Sequence, residues 1–572
     1  MICLGISEDH FDAGATLTNG DQILFATNEE RYTRRKNEGG WPHHALASLF
    51  DYTGVTPADI DRIYVCGLMT PPLPIRLFPF LHDLRFNAHR SKEDTWFKKF
   101  MDCVTFLTPV SHSSEDSWMR TIAQPLLPWV TRRRLPKALR SKPIYFIEHH
   151  ECHAAGAWTL SGFDRCLAVT ADGMGDGLSL TVSRCTAEDG IERLWFASSK
   201  DSFGLFFEAI TEAFGFIPCR DEGKITGIAA CGDPGAITEP DPFHLEQGRL
   251  QYVGPHGRAG VQWVNEHLLQ NYRREDIAAW AQHLLERHLI EVTRWWLEET
   301  GMGNLAVAGG VYGNVKLNQR LHALDACKRL FVYPNMGDGG LSLGAVCAGE
   351  KLTPRPVADV FFGEDYPEDA LRAAIQARGL DFERMDAPAE RVGDLLAAGH
   401  IVARFDGRME WGPRALGNRS ILVRTSDRAV VGKLNDRLQR SDFMPFAPAV
   451  LAEDAEEYCL AVAPARHSAE FMTVCFDCTD RMKREHPAIV HVDGTARAQL
   501  VRADHNPGFH RILSRFKEHT GTGVILNTSF NIHEEPIVRT PEEGVAAFLN
   551  AHLDYLALGP FLVKCPDTPV KA

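Results

Sequence analysis

The stretch Glu148–Trp158, EHHECHAAGAW, sets His149, His150 and His153 close together beside a run of small residues. On a helix, residues i and i+4 share one face with Cβ atoms about 5–6 Å apart, so His149 and His153 can present two imidazoles to one ion. His150 then points elsewhere, or replaces His149 in an i,i+3 pair. HECH is one residue short of the zinc-protease pattern HExxH, which weakens a metallopeptidase reading. Two imidazoles do not complete a site. Carboxylates stand at Asp172 and Asp176 in the glycine turn ADGMGDG, and at Asp338 in NMGDGGLSLGA. Two imidazoles with carboxylates and open positions suit Fe(II), Mn or Zn. The same spacing equally describes satisfied core histidines beside ordinary turn aspartates.

A second group lies in GRMEWGPRALGNRSILV, where Glu410, Arg414 and Arg419 are packed among glycines. Arg497 in HVDGTARAQLVR and Asn527, Ser529 and Asn531 in LNTSFNIHEEPIV extend it. A lone arginine is usually half of a surface salt bridge. Here the glycines bring backbone close to something, and guanidinium groups bind phosphate or carboxylate bidentately. Cations with small polar donors suit an anionic nucleotide and a carbonyl oxygen.

These residues need a scaffold. At 572 residues the chain exceeds one ordinary core, so two or three domains are expected. Its 44% apolar and 24% charged residues are those of a soluble globular protein. A net charge of −14 opposes nonspecific binding to nucleic acid or anionic membrane. MICLGISEDH has no basic leader region and reads as a first strand rather than a signal peptide. No apolar run approaches the ~18–20 residues that span a bilayer. The fourteen cysteines are scattered, with a single CxxC at Cys475 and Cys478 and no second pair for a zinc ribbon. They read as reduced core thiols of a cytoplasmic protein.

ICLGISEDHFDAGATLTNGDQILFATNEE reads as strand, polar turn, strand, tight turn at Asn19-Gly20, and strand. RCLAVTADGMGDGLSLTVSR repeats the pattern of strand, acidic glycine turn and strand, and NLAVAGGVYGNVKLNQRL adds a glycine turn running into a helix. Two such units with a later Gly-Gly turn match the nucleotide-handling scheme of the actin/sugar-kinase fold. Residues about 70–142, rich in Pro, aromatic and basic residues, read as a helical insertion with solvated charges; the sharper reading is a cap shaping a pocket or a partner surface. Prolines in KLTPRPVADVFFGEDYPEDA mark a linker over 353–365. Beyond it, PEDALRAAIQARG and ERVGDLLAAG read as helices, and HIVARFDG, GTGVILNTSF and YLALGPFLV as strands, of a second α/β domain.

The stretches EERYTRRK, HHECHAAGAW, ADGMGDG, DEGKITGIAACGDP, GGVYGNVKLNQ, EWGPRALGNRSIL, MPFAPAVL, HVDGTARAQ and LNTSFNIHEEPIV occur in this order. Together they resemble the O-carbamoyltransferases of the nodulation protein U and tobramycin carbamoyltransferase type, over essentially the full length. The resemblance implies an α/β chain: residues 1–352 form a two-lobed, Kae1-like domain of the actin/sugar-kinase fold, and residues 366–572 a YrdC-like domain. It implies that carbamoyl phosphate and ATP become carbamoyladenylate in the C-terminal domain. The carbamoyl group then passes to a hydroxyl of a small-molecule acceptor, a natural product, in the N-terminal domain. A divalent metal, typically Fe2+, contacts the nucleotide phosphate there.

By the same resemblance His149, His153, Asp172 and Asp338 are metal ligands, and Gly173, Gly309, Gly310, Asn314 and Asn318 line the nucleotide pocket. Lys36 and Lys224 lie near acceptor or phosphate. Arg414, Arg419, Arg497, Asn527 and Ser529 match the adenylate-forming site. Two departures stand out. The first hairpin reads Phe11-Asp12-Ala13-Gly14 where the family often has His-Asp-Ala-Ser, which leaves acceptor deprotonation to His10 or Asp12. In LNDRLQRSDFMPFAP, Arg437 or Arg440 stands for the usual lysine. A monomer or homodimer without nucleic-acid or membrane partners is expected. The rival readings are a threonylcarbamoyl transferase acting on tRNA, which predicts a basic RNA surface such as 132–142, and a nucleotide-binding scaffold without transfer activity.

Overall fold

The computed structural model describes residues 1–90, 124–438, 446–532 and 534–566. They fall into two compact units, Met1–Thr33 with Asn37–Val357, and Arg34–Lys36 with Ala358–Ala572.

The first unit is built on two five-stranded sheets wired alike. One comprises β1 (Ile2–Ser7), β2 (Gly14–Asn19), β3 (Gln22–Asn28), β4 (Arg62–Cys66) and β5 (Ile144–Ile147), in the order β3-β2-β1-β4-β5. β1–β3 form an antiparallel meander, and β1, β4 and β5 run parallel. The other comprises β6 (Arg165–Gly175), β7 (Leu178–Thr186), β8 (Gly190–Ser198), β11 (Asn304–Ala308) and β12 (Arg329–Val332), in the order β12-β11-β6-β7-β8. Again the first three are antiparallel, and β6, β11 and β12 are parallel. A small hairpin of β9 (Phe243–Glu246) and β10 (Arg249–Tyr252) stands apart. This repeated plan is the two-lobed arrangement of the actin/sugar-kinase fold.

Burial explains the strand sequences. ICLGIS is covered on both faces, so it reads as a nearly continuous apolar run rather than an alternation. The helix His43–Thr53 packs Ala45, Leu46 and Leu49 into the cluster of Leu4, Leu17 and Phe25. The helix His149–Ser161 is buried all round except at Glu151, because alanine and glycine let the helix Leu341–Glu350 approach on one side and the second sheet on the other. In β6–β7 the register slips between Ala171 and Gly175.

The second unit carries one mixed sheet of eight strands: β13 (Phe382–Arg384), β14 (Val402–Phe405), β15 (Arg419–Arg424), β16 (Ala447–Leu451), β19 (Gln499–Val501), β20 (Val524–Ser529), β21 (Tyr555–Leu558) and β22 (Phe561–Lys564). Their order is β13-β22-β21-β14-β15-β20-β16-β19. The helices Pro388–Ala397 and Pro507–Thr520 bury Val392, Leu396, Phe509 and Leu513 against Val402, Leu422 and Ile525. YLALGPFLV, expected as one strand, is a hairpin. Gly559 turns at φ 55° and Pro560 has no N–H for the ladder, so β21 folds back as β22 with Leu558 opposite Phe561. The CxxC segment contributes only the two-residue strand β17 (Phe476–Asp477), paired with β18 (Thr495–Ala496). The thirteen described cysteines are all free, and Cys231 is the exposed one among them.

In the insertion Arg132, Arg133, Lys137 and Arg140 are exposed, as expected of solvated charges, but two basic residues are not. Arg76, in the helix Leu73–Leu77, is buried, and Arg134 pairs with buried Glu8. The aromatic residues Phe78, Phe80 and Trp129 are exposed. Residues 91–123 lie outside the described residues. Among the described residues no helix is long and apolar enough to cross a membrane.

One buried group of the second unit makes a stability test. His486 shares hydrogen bonds with the Thr425 hydroxyl at 2.6 Å and the Thr522 hydroxyl at 2.9 Å, and burial pushes its pKa down to about 4. The unfolded chain therefore binds more protons between its ordinary pKa of about 6.5 and that value, and stability falls as pH drops through this window by up to about 3 kcal/mol. Urea unfolding across this range is expected to show that slope, and His486→Gln to flatten it at the expense of stability near pH 7.

Candidate functional site

The helix His149–Ser161 begins where Glu148 accepts the N–H groups of His150 and Glu151, a side-chain cap that fixes its first turn. Asp176 takes the N–H of His149 itself at 2.9 Å. From this pinned start His149 and His153 project one turn apart, fully buried, with ring centroids 4.9 Å apart. Their Nε2 atoms lie 3.1 and 3.3 Å from Asp172 Oδ2, and 3.6 and 3.7 Å from Asp338 Oδ1. The register slip in β6 turns Asp172 toward them, as bulges beside functional sites do. Its other oxygen, Oδ1, accepts the Gly173 N–H at 2.7 Å and the Gly310 N–H at 3.3 Å. Asp338 opens the turn Asp338–Gly340 beyond β12. One donor atom from each of the four side chains lies within 4.8 Å of the others. His150 turns away, its Nδ1 meeting the Thr170 hydroxyl at 2.7 Å.

The charges of this cluster do not balance by themselves. Burial raises Asp172, but hydrogen bonds with His149 and His153 outweigh it and hold the carboxyl well below its usual range. Burial holds Asp338 well above that range, and the charges of Asp172 and Asp9 add to the effect. Asp338 Oδ1 has no hydrogen-bond partner among the described residues. An acid forced toward neutrality by adjacent acids, facing two imidazole nitrogens, lacks positive charge. Two nitrogen and two carboxylate donors suit Fe(II), Mn(II) or Zn(II), so the residues fit a divalent ion. Gly175 belongs to this cradle, because a Cβ there would overlap the His149 imidazole.

Two acids near the cluster have different work. Asp9 Oδ2 lies 3.3 Å from His149 Nδ1, on the side of the ring away from the other donors. Its only trace in the sequence is an acidic turn. Asp176, which shares a glycine turn with Asp172, accepts backbone N–H groups from Leu68, Met69 and Thr70 at 2.9, 2.7 and 2.8 Å as well as that of His149. It clamps backbone and is not a donor of the cluster.

The nucleotide-lining candidates sit around the same strand ends. Gly309 adopts φ 107°, and a Cβ there would overlap the Ala171 carbonyl oxygen, so only glycine fits. Asn314 caps the helix Val315–His322 through the Leu317 N–H and donates to Gln282 at 2.7 Å and Thr226 at 3.2 Å. Asn318 donates to the Tyr312 carbonyl at 2.7 Å. Both asparagines thus hold the turn that carries Gly310. Lys224 pairs with Asp221 at 3.1 Å and lies over the Phe216 ring. In the first hairpin, Arg85 donates to His10 Nε2 at 2.7 Å, and Asp12 Oδ2 accepts from Asn37 at 3.2 Å. Lys36 is exposed and groups with the second unit.

In the second unit Arg414 and Arg497 are half-buried neighbours. Burial depresses both guanidinium pKa values, that of Arg414 further through the charge of Arg497. The Nε atoms of both have no hydrogen-bond partner among the described residues. The loop bearing Arg414 is held by Glu410, which accepts the N–H groups of Leu416, Asn418 and Arg419, and by Asn527 and Gln499, which donate to Ala415 and Leu416 carbonyls. Gln499 has no special signal in the sequence. Ser529 is half-buried, opposite Ser420 in the β15–β20 ladder. The Arg419 guanidinium donates to the carbonyls of Glu364, Asp406, Gly407 and Asn418 and stacks 3.6 Å from the Phe405 ring centre, which braces the loop. Arg437 is likewise engaged, by Asp554 at 3.1 Å. Arg440 lies outside the described residues.

The chain thus has two lobes of one plan around a cluster of imidazoles and carboxylates, and a further α/β unit holding a pair of neighbouring arginines. The carbamoyltransferase N-terminus family matches residues 2–347 and the carbamoyltransferase C-terminus family residues 393–565. The chain belongs to this carbamoyltransferase family. It is 30% identical to the uncharacterized protein MJ1051 of Methanocaldococcus jannaschii, over 98% of this chain and 99% of that one. It is 29% identical to nodulation protein NolNO of Sinorhizobium fredii, over 99% of this chain and 82% of that one. It is also 30% identical to 3'-hydroxymethylcephem-O-carbamoyltransferase of Streptomyces clavuligerus, over 59% and 63%. Among solved structures, full-length HypF in its phosphate- and nucleotide-bound form is similar with a TM-score of 0.36 and 12% identity, over 61% of this chain and 55% of that one.

The cradle is testable by volume and by charge. Gly175→Ala drives a methyl into the His149 ring and is expected to destabilise by about 1–3 kcal/mol. Elemental analysis is expected to show it, like Asp338→Asn, retaining far less divalent metal than the wild type. Full metal content in both variants would contradict the assignment.

Proposed function

We propose that this carbamoyltransferase uses ATP and carbamoyl phosphate, forms carbamoyladenylate in its second unit, and transfers the carbamoyl group to a hydroxyl of a small-molecule acceptor in its first. The observation that carries this reading is the pair Arg414 and Arg497, two depressed guanidiniums side by side whose Nε atoms have no hydrogen-bond partner among the described residues. Like charges confined in this way call for an anion. Carbamoyl phosphate and the nucleotide triphosphate supply one, and two guanidiniums stabilise the charge that grows on phosphoryl oxygens as the mixed anhydride forms and breaks. Glu410, Gln499 and Asn527 keep Arg414 in place for that task.

In the first unit His149, His153, Asp172 and Asp338 would hold a divalent ion, with iron the reading the resemblance favours. Such an ion supplies Lewis-acid neutralisation of phosphate charge. Gly309 and Gly310 let a nucleotide approach the strand ends. His10 and Asp12 are the basic groups of the first hairpin; Arg85 occupies a lone pair of His10, which leaves Asp12 the better placed to take the acceptor proton. The cephem relative acts, by its name, on a hydroxymethyl group, which supports an alcohol acceptor here.

The two half-reactions separate the sites. Arg414→Ala is expected to lower carbamoyl-phosphate-dependent pyrophosphate release from ATP by about 100-fold or more. His153→Ala is expected to leave that release intact while abolishing carbamoyl gain by an alcohol, read by mass spectrometry. Pyrophosphate release lost equally in both variants would sink the division of labour.

A further inference from the structure

The insertion enters the metal-bearing unit through one buried cation. Arg76 Nε donates to the Pro71 carbonyl at 3.0 Å, and its Nη2 donates to the carbonyls of Gly67 at 2.9 Å and Thr70 at 2.8 Å. The same loop, 67–71, turns its N–H groups the other way. Those of Leu68, Met69 and Thr70 converge on the carboxylate of Asp176. Asp176 in turn donates its own N–H to the Thr70 hydroxyl at 2.8 Å and accepts the N–H of His149. The loop is therefore gripped on its acceptor side by a guanidinium and on its donor side by a carboxylate. That carboxylate also fixes the residue at which the histidine helix starts. Both charged groups are buried and held by hydrogen bonds at short range, an arrangement that resists displacement far more than an exposed ion pair.

We propose that Arg76 is a positioning residue for the metal centre: by rigidifying loop 67–71 it holds Asp176, and through Asp176 the His149 backbone, in the geometry that aims His149 Nε2 at the other donors. The proposal rests on the reading of His149 as a ligand. It gives the insertion a function beyond covering surface. Loss of the fork between three carbonyls lets the loop relax, and the helix start loses its outer anchor. Lysine keeps the charge but, as a point donor, cannot reproduce the planar fork.

The test uses the full chain, stripped of metal by chelator and titrated with Co(II), whose visible absorption reports donor number and geometry. Arg76→Gln is expected to weaken Co(II) binding about 10–100-fold, the range of outer-shell losses at metal sites, and to alter the absorption bands. Carbamoyl-phosphate-dependent pyrophosphate release is expected to stay at the wild-type level. Arg76→Lys is expected to recover part of the affinity. Thr70→Val removes only the acceptor of the Asp176 N–H and is the milder variant, with weaker binding in the same direction; it decides the matter should Arg76→Gln fail to fold. Wild-type Co(II) affinity and spectrum in a folded Arg76→Gln, or in Thr70→Val where the former does not fold, overturns the proposal. Equal Co(II) uptake by wild type and His149→Ala overturns the ligand reading itself, and the role of Arg76 with it.

Discussion

Two half-buried carboxylates against two buried imidazoles are the constraint to which the first unit is built. Asp172 is held ionised by its histidines, and Asp338 is driven toward its neutral form by the acids beside it. The imidazoles cannot settle the account between them. Asp172 and Asp9 overcome burial to raise His149, whereas burial prevails at His153 and keeps it low. The raised His149 and the ionised Asp172 then answer one another, and Asp338 is left as an acid that only further positive charge would let ionise. The bulge in β6, the capped start of the histidine helix and the bare Gly175 are what bring these four side chains together.

The second unit has the opposite deficit. Arg414 and Arg497 repel each other, while the polar groups around them are occupied in holding backbone. The electrostatics of the two units are thus of opposite kinds, acids seeking positive charge in the first and guanidiniums seeking negative charge in the second. The fixed dipoles and braces around each deficit, Arg419 among them, do the ordering before any ligand arrives, which is where electrostatic preorganisation gains its strength.

Much of this was readable from the chain itself. The strand–acidic-turn–strand repeats locate both sheets, and the i,i+4 spacing of His149 and His153 is a direct consequence of helical geometry. The roles within a motif were not readable. Asp172 and Asp176 are four residues apart in one glycine turn, yet one faces the imidazoles and the other binds amides; the difference arises from a register slip that composition does not record. Arg414 and Arg419 look alike in sequence, and the carbonyls surrounding the Arg419 guanidinium are apparent only in the fold. The YLALGPFLV hairpin is missed if Gly559 and Pro560 are weighed less than the apolar residues around them. Basic residues of the insertion suggest solvent, but Arg76 is buried because three carbonyls of a tight loop converge on it.

The cysteine distribution has a practical corollary. Of thirteen described thiols, eleven are buried and Cys219 is half-covered, which leaves Cys231 facing solvent on the first unit. Burial keeps most of these sulfurs protonated and shielded from electrophiles. A maleimide-linked fluorophore or spin probe would thus find, among the described positions, one preferred handle already present, just past the helix Glu222–Ala229, with no engineering of the chain.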